Sequence, residues 1–89
     1  MAERKVSFLL SKTEIELLEN TLIFEPGLQD VTEKIHKVAN GFLAAFSETN
    51  TQEALDALSY AAESIAKSVI EKKAYFGLHD KIKQGFYRL

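Results

Sequence analysis

Two histidines, each close to a carboxylate, are the residues of this chain whose spacing could support chemistry. Glu33 precedes His36 by three residues, and on a helix that spacing puts both side chains on one face, as in half of a diiron carboxylate site. A complete site needs a second Glu-x-x-His pair and two further glutamates. Three residues before His79, however, the chain has Phe76. The sequence therefore predicts no metal site, and Glu33 and His36 are expected to be exposed to solvent.

His79 and Asp80 form the second candidate, a base beside a carboxylate that could orient it. Nucleophilic catalysis would also need a serine, threonine or cysteine placed against that base, and the sequence offers none at a suitable position. The chain has no cysteine, no glycine-rich phosphate loop and no dinucleotide fingerprint. We therefore predict no catalytic residues, no bound cofactor and no enzymatic activity.

Charge is distributed unevenly along the second half of the chain. Residues 46–66 contain four carboxylates and no lysine or arginine, whereas residues 67–89 contain six cations against two carboxylates. Cations interleaved with aromatic rings can bind single-stranded nucleic acid through phosphate contacts and base stacking. The aromatic residues are Tyr75, Phe76, Phe86 and Tyr87, and the candidate phosphate contacts are Lys73, Lys81, Lys83 and Arg88. Alternatively, the rings belong to the core and the lysines form a solvated face.

Apolar spacing predicts that helices carry these residues. In residues 28–46 the apolar side chains recur at alternating steps of three and four, which is the period of one helix face. A capping-box pattern at Ser11–Glu14 marks the start of the first helix, and another at Asp30–Glu33 indicates that the second helix begins there or one turn earlier. We predict an all-α fold, a small four-helix bundle with its third helix running to about residue 72. The core face of that third helix is expected to hold Leu55, Leu58, Ala62, Ile65 and Val69.

The predicted organisation is one domain preceded by a short arm. Residues 1–10 are expected to form an extended N-terminal arm. Residues 11–89 are expected to form a single helical domain, built from a hairpin at 11–47 and a hairpin at 50–89. The boundary between the third and fourth helices is left open.

An internal repeat relates the two hairpins. Residues 11–22 align with 51–62, and Gly41–Phe42 matches Gly85–Phe86. Two hairpins related in this way by a pseudo-twofold axis would give a four-helix bundle. A glycine inside a helix is unfavourable, so Gly41 indicates either close approach of another backbone or a kink.

The apolar inventory is larger than one small bundle is expected to cover, which indicates a protein partner. Large uncovered apolar patches mark interaction surfaces, and symmetric dimers are the commonest oligomers. The candidate interface residues are Leu17, Ile23, Phe24, Leu43 and Phe46. The alternative left open is that the N-terminal arm, with Phe8 and Leu9, covers the remainder.

We therefore predict a small non-enzymatic module for protein–protein interaction or self-association, with a homodimer as the expected assembly. The alternative is a nucleic-acid-associated protein that uses the basic, aromatic C-terminal helix. A net charge of -2 gives no global attraction to nucleic acid or to an anionic membrane. The apolar run near the N-terminus is too short for a signal peptide or a membrane span, and cysteine is absent, so we expect a cytoplasmic protein.

Overall fold

The computed structural model describes residues 4–88 and shows a mixed α/β fold. In this range the chain forms a three-stranded antiparallel sheet and four α-helices. The strands are β1 (Lys5–Leu10), β2 (His36–Val38) and β3 (Gly41–Ser47). The helices are α1 (Lys12–Asn20), α2 (Gln29–Glu33), α3 (Glu48–Ser64) and α4 (Val69–Tyr87), with 3₁₀ helices at Thr21–Ile23 and Pro26–Leu28.

The prediction of an all-α four-helix bundle is therefore wrong. Residues 5–10, assigned to the arm, form a strand that pairs along its whole length with β3. Residues 11–47 do not form a helical hairpin, because β2 and β3 occupy their second half. Leu89, at the end of the predicted fourth helix, lies outside the described residues, as do residues 1–3 of the predicted arm.

The sheet has β3 at its centre, between β1 and β2. In the β1–β3 register, Val6 pairs with Phe46 and Leu10 pairs with Phe42. Side chains of a strand alternate between the two faces of a sheet, so each strand has an inner and an outer set. The buried inner side chains are Phe8, Leu10, Ala44 and Phe46, and the exposed outer ones are Ser7, Leu9, Leu43 and Ala45.

The β2–β3 hairpin explains why the predicted second helix is wrong. Ala39 and Asn40 connect the two strands, and an Asn-Gly pair ahead of alternating apolar residues is a hairpin signal. Gly41 has a φ of +149°, which side chains rarely tolerate, and a Cβ there would lie 2.7 Å from the backbone oxygen of Leu10. The close approach of another backbone, expected for Gly41, is thus present in a strand and not in a helix.

The internal repeat is not reproduced in the structure. Gly41–Phe42 belongs to β3, whereas Gly85–Phe86 belongs to α4. The shared glycine–phenylalanine pair therefore stands in two different kinds of secondary structure, and the pseudo-twofold arrangement of helical hairpins is wrong.

The start of α1 was predicted correctly from its capping residues. The capping box of Ser11 and Glu14 is confirmed, with hydrogen bonds of 3.1 and 2.9 Å between the side chain of each residue and the backbone N–H of the other. Asp30, by contrast, lies inside α2, which begins at Gln29 and ends at Glu33.

The third predicted helix divides into two. α3 ends at Ser64, residues 65–68 form a connection, and the Ser68 hydroxyl caps α4 by accepting from the N–H of Glu71 at 3.2 Å. Val69, expected on the core face of the third helix, is instead the first residue of α4. It is exposed, because the break turns it away from the core.

The core lies between the inner face of the sheet and the helices. Its fully buried side chains come from both the sheet and the helices. They include Leu10, Leu18, Leu28, Phe46, Leu58, Leu78 and Ile82. Within residues 4–88, none of the helices combines the length and the apolar character that crossing a bilayer requires.

Candidate interaction site

Four exposed apolar side chains, which we name the apolar end, come from the 3₁₀ turn after α1, the last turns of α3 and the first turn of α4. The aliphatic members are unusually open to solvent: Ile23 is 85% exposed, Ile70 81% and Val69 69%. The fourth member is Tyr60, in the last turns of α3. Aliphatic side chains this exposed lose the hydrophobic stabilisation that burial would provide.

Packing of α1 against α4 brings the first member towards the others. The Glu14 carboxylate is 3.0 Å from the Lys81 ammonium, and the Asn20 amide donates to the Tyr75 hydroxyl at 3.3 Å. Asn20 lies six residues after Glu14 in α1, whereas Tyr75 lies six residues before Lys81 in α4. The two helices therefore run antiparallel. Continuing this register by one turn brings Ile23 towards the first turn of α4.

An aromatic contact fixes the same segment to α3. The rings of Phe24 and Tyr60 meet edge to face with their centroids 4.8 Å apart. Because Phe24 follows Ile23 directly, this contact holds the 3₁₀ turn on α3. The turn between α3 and α4 then places Val69 at the same end of the molecule.

Charged residues of both signs, which we name the rim, flank Val69 and Ile70 in the sequence. Glu63 and Lys67 come from the end of α3 and the connection, and Glu71 and Lys72 from the first turn of α4; all four are exposed. The Glu71 carboxylate accepts a hydrogen bond from the backbone N–H of Lys67 at 2.9 Å. The rim is thus balanced in charge.

The predicted interface residues do not form one surface. Ile23 belongs to the apolar end, while Leu17 and Phe24 are half-buried and pack against the core. Leu43 lies on the outer face of the sheet, opposite Leu9. Phe46 is completely buried, with its ring edge-to-face against Phe8 at 5.5 Å, because it lies on the inner face of β3.

Sequence reasoning missed Val69 and Ile70, although a local signal was present. The pattern Ser68-Val69-Ile70-Glu71 has a serine three residues before a glutamate, which is typical of a helix start. A helix start at this pattern would have predicted that Val69 and Ile70 lie in the first turn of a helix and are exposed to solvent. The periodicity of the neighbouring residues favoured a continuous helix and concealed the break.

The predicted phosphate contacts are similarly divided. Lys73 is exposed on α4, but the Lys81 ammonium is engaged by Glu14 and by the backbone oxygen of Leu9, at 2.6 Å from the latter. Lys83 and Arg88 line a groove of about 850 Å³ beside β1. We name it the basic groove; its lining includes Phe8, Lys81, Lys83, Gly85, Tyr87 and Arg88.

Most aromatic rings of the basic segment are unavailable for stacking with a base. Tyr75 and Phe86 are buried in the core, and Phe76 is half-buried and packs against the His79 ring. Tyr87 is exposed at the end of α4. The alternative in which these rings belong to the core is therefore correct for Tyr75 and Phe86.

The two histidines are not parts of a larger constellation. Glu33 ends α2 and His36 begins β2, so their spacing does not place them on one helix face, and Glu33 accepts a hydrogen bond from Gln29. His79 Nδ1 lies 3.1 Å from the Asp80 carboxylate, in an exposed contact on α4. Within residues 4–88, no group of three or more histidines and carboxylates is arranged to hold a metal ion.

A cluster of carboxylates joins the segment after Phe24 to α3. Partial burial raises the pKa of Glu25, and the neighbouring carboxylate of Glu53, its hydrogen bond and the charge of Asp56 raise it further. Asn50 also contacts this cluster, with its amide 3.4 Å from Glu53. The cluster therefore destabilises the ionised form of Glu25.

Comparison of the chain with protein-family models, with curated proteins and with solved structures found no match.

Proposed function

We propose that this protein is a non-enzymatic interaction module that self-associates through its apolar end. The observation that carries the proposal is the exposure of Ile23 and Ile70, each more than four-fifths open to solvent in a chain of 89 residues. A domain of this size has a small core and commonly gains stability from oligomerisation. Contact between two apolar ends would bury these side chains.

Energetic considerations favour a reversible dimer. Burying an aliphatic side chain contributes about 1.5–3 kcal/mol, so three such residues from each of two copies contribute roughly 9–18 kcal/mol. Association costs an estimated 4–15 kcal/mol. These two ranges overlap, so a dimer held by these side chains alone is weak and dissociates on dilution.

The charge of the rim supports a second copy as the partner. A twofold interface places the same surface on both sides, so it must be complementary to itself. The rim has two carboxylates, Glu63 and Glu71, and two lysines, Lys67 and Lys72, so each copy can meet opposite charges on the other. A partner of one charge sign would not be selected by such a rim.

The test is the mass in solution of a charged variant of the apolar end. Ile70→Glu places a carboxylate in the first turn of α4, where the helix dipole favours it, so the fold should be retained. The dissociation constant should rise by roughly thirtyfold or more, as for residues central to an interface. Sedimentation velocity over a dilution series measures the change, and circular dichroism verifies the fold.

Leu43→Glu is the matched control, since it introduces the same charge on the outer face of the sheet. We expect this variant to associate like the unmodified chain. Monomers from Leu43→Glu but not from Ile70→Glu would move the interface to the sheet and refute the proposal.

Nucleic-acid binding is the second candidate, and it depends on Lys83, Arg88 and Tyr87 at the basic groove. It is the weaker one, because Lys81 is engaged and two of the expected stacking rings are buried. A cytoplasmic location forms part of the proposal as well; it rests on the absence of cysteine, which suits a reducing compartment.

A further inference from the structure

The outer edge of β1 lies beside the C-terminal half of α4. Within residues 4–88, no strand pairs with this edge, since β1 is at the end of the sheet. The Lys81 ammonium reaches it and donates to the Leu9 backbone oxygen at 2.6 Å. Leu9 therefore directs its backbone groups away from β3.

Alternation along the strand extends this assignment to other residues. The backbone N–H and C=O of one residue point to the same side of a strand, and the next residue points to the opposite side. Since Leu9 faces outwards, Ser7 and Lys5 do too, whereas Val6 and Phe8 bond to β3. The β2–β3 hairpin supports this assignment. Its two-residue connection makes the backbone N–H and C=O of Gly41 point to β2, so those of Phe42 point to β1, where Phe42 pairs with Leu10.

Phe8 is the β1 residue that lines the basic groove, and the other lining residues belong to α4 or follow it directly. The Phe8 ring lies directly against Gly85, where a Cβ atom would overlap it. Arg4 links the start of β1 to α4, with its guanidinium 4.5 Å from the centroid of the Phe86 ring and a hydrogen bond to the Phe86 backbone oxygen. Lys81 makes a second link between α4 and β1, at Leu9.

The charge of the groove selects among the chains that could pair with this edge. Lys83 and Arg88 line it beside one carboxylate, Asp80, and Lys5 lies on the strand itself. Lys81 also lines the groove but is paired with Glu14. A second copy of β1 in antiparallel pairing about Ser7 would add a further cation, its own Lys5, to this basic surface. An acidic strand adds charge of the opposite sign.

We propose that the basic groove binds an extended acidic peptide segment of a partner protein as an added strand on β1. Backbone groups of Lys5 and Ser7 pair with the peptide, and Lys83 and Arg88 attract its carboxylates. The site is separate from the apolar end, so this proposal stands whether or not the chain self-associates.

The test uses a labelled octapeptide of alternating glutamate and valine, with fluorescence anisotropy as the readout. Alternate residues of a strand share one face, so all the glutamates of this peptide lie on the same face of the added strand, whichever of its residues pair with β1. We expect saturable binding that weakens as salt is added. A matched octapeptide of alternating lysine and valine should not bind. A ten-nucleotide oligothymidylate should bind more weakly than the acidic peptide.

Ser7→Pro tests the pairing with the strand edge. Proline removes the N–H that faces outwards and is tolerated on an edge strand. We expect affinity for the acidic octapeptide to fall by about tenfold, the effect of a lost hydrogen bond. Ser7→Ala keeps the N–H and is the matched control, which should bind like the unmodified chain.

Charge is tested with the double variant Lys83→Gln and Arg88→Gln. It should weaken binding of the acidic octapeptide and reduce its salt dependence. The control, Lys37→Gln with Lys73→Gln, removes the same charge from exposed positions outside the groove and should have little effect.

Three results would overturn the proposal. They are no binding of the acidic octapeptide at low salt, equal binding of the basic octapeptide, and tighter binding of the oligothymidylate, which would assign the groove to nucleic acid.

If Ser7→Pro does not fold, the amide chemical shifts of the ¹⁵N-labelled unmodified chain provide the test. Shifts on peptide addition must centre on Lys5–Leu9, and shifts centred elsewhere contradict the proposal. Ile70→Glu should bind the peptide normally, which separates this test from that of self-association.

Discussion

The apolar end and the basic groove lie at opposite ends of α4, and they present different chemical groups to a partner. The first turn of the helix presents aliphatic side chains, Val69 and Ile70, within a rim of balanced charge. The last turns present cations beside the backbone edge of β1. Contact at the first surface should depend little on salt, whereas contact at the second should be screened by it. One helix can therefore serve two kinds of contact.

The largest expected effect comes from filling the floor of the basic groove with Gly85→Ala. The added Cβ overlaps the Phe8 ring, which is held against Phe46 and cannot move freely. Overpacking of this kind costs about 1–3 kcal/mol, less up to about 1 kcal/mol that alanine contributes to a helix. We expect a net loss of stability in urea denaturation and weaker binding of the acidic octapeptide, with self-association unchanged. A variant as stable as the unmodified chain would show that the ring yields easily.

Gly77→Ala is the matched change between the two surfaces, and its expected effect is smaller and of opposite sign. A Cβ at Gly77 meets no atom within 4 Å, so the substitution adds helix propensity without a clash. The free energy of unfolding should rise by up to about 1 kcal/mol. Both peptide binding and self-association should be retained. Destabilisation by this variant would mean that another chain packs closely on this part of α4.

The smallest effect is expected at Glu25, which belongs to neither surface. Its pKa is raised in the folded chain, so folding favours the protonated form and stability decreases as the pH rises through that pKa. Glu25→Gln removes the charge and should therefore stabilise the protein at neutral pH. The difference should vanish below the ordinary carboxylate pKa of 4.5. Thermal unfolding across this pH range measures it, and Glu16→Gln, on exposed α1, is the control. Equal stabilisation at every pH would contradict the electrostatic explanation.

Capping residues allowed the start of α1 to be predicted, whereas the same kind of signal at Ser68 was missed. The Ser11–Glu14 capping box marks the start of α1 correctly, and its hydrogen bonds depend on residues three positions apart. The β2–β3 hairpin could not be recovered from apolar spacing, because residues 28–46 match the period of a helix by coincidence. The alternation of Phe42, Ala44 and Phe46 after Asn40–Gly41 carried the correct signal.

The two surfaces differ in how much of each the sequence revealed. Ile23 was predicted at an interface because its surroundings had too many apolar residues for a small core. Pairing of residues 5–10 with β3 joins parts of the chain about 40 residues apart, and nothing local encodes which edge of β1 stays open. Lys83 and Arg88 were predicted as phosphate contacts from cations interleaved with aromatic residues, whereas the strand beside them became visible only in the fold.

Solution mass of the unmodified chain, measured over a dilution series at low and high salt, tests the central claim most directly. Self-association through the apolar end predicts a dimer that dissociates on dilution with nearly the same dissociation constant at both salt concentrations. A monomer at every concentration would contradict the claim, and so would a dimer that high salt dissolves, because such a dimer would be held by charge and not by Ile23, Val69 and Ile70.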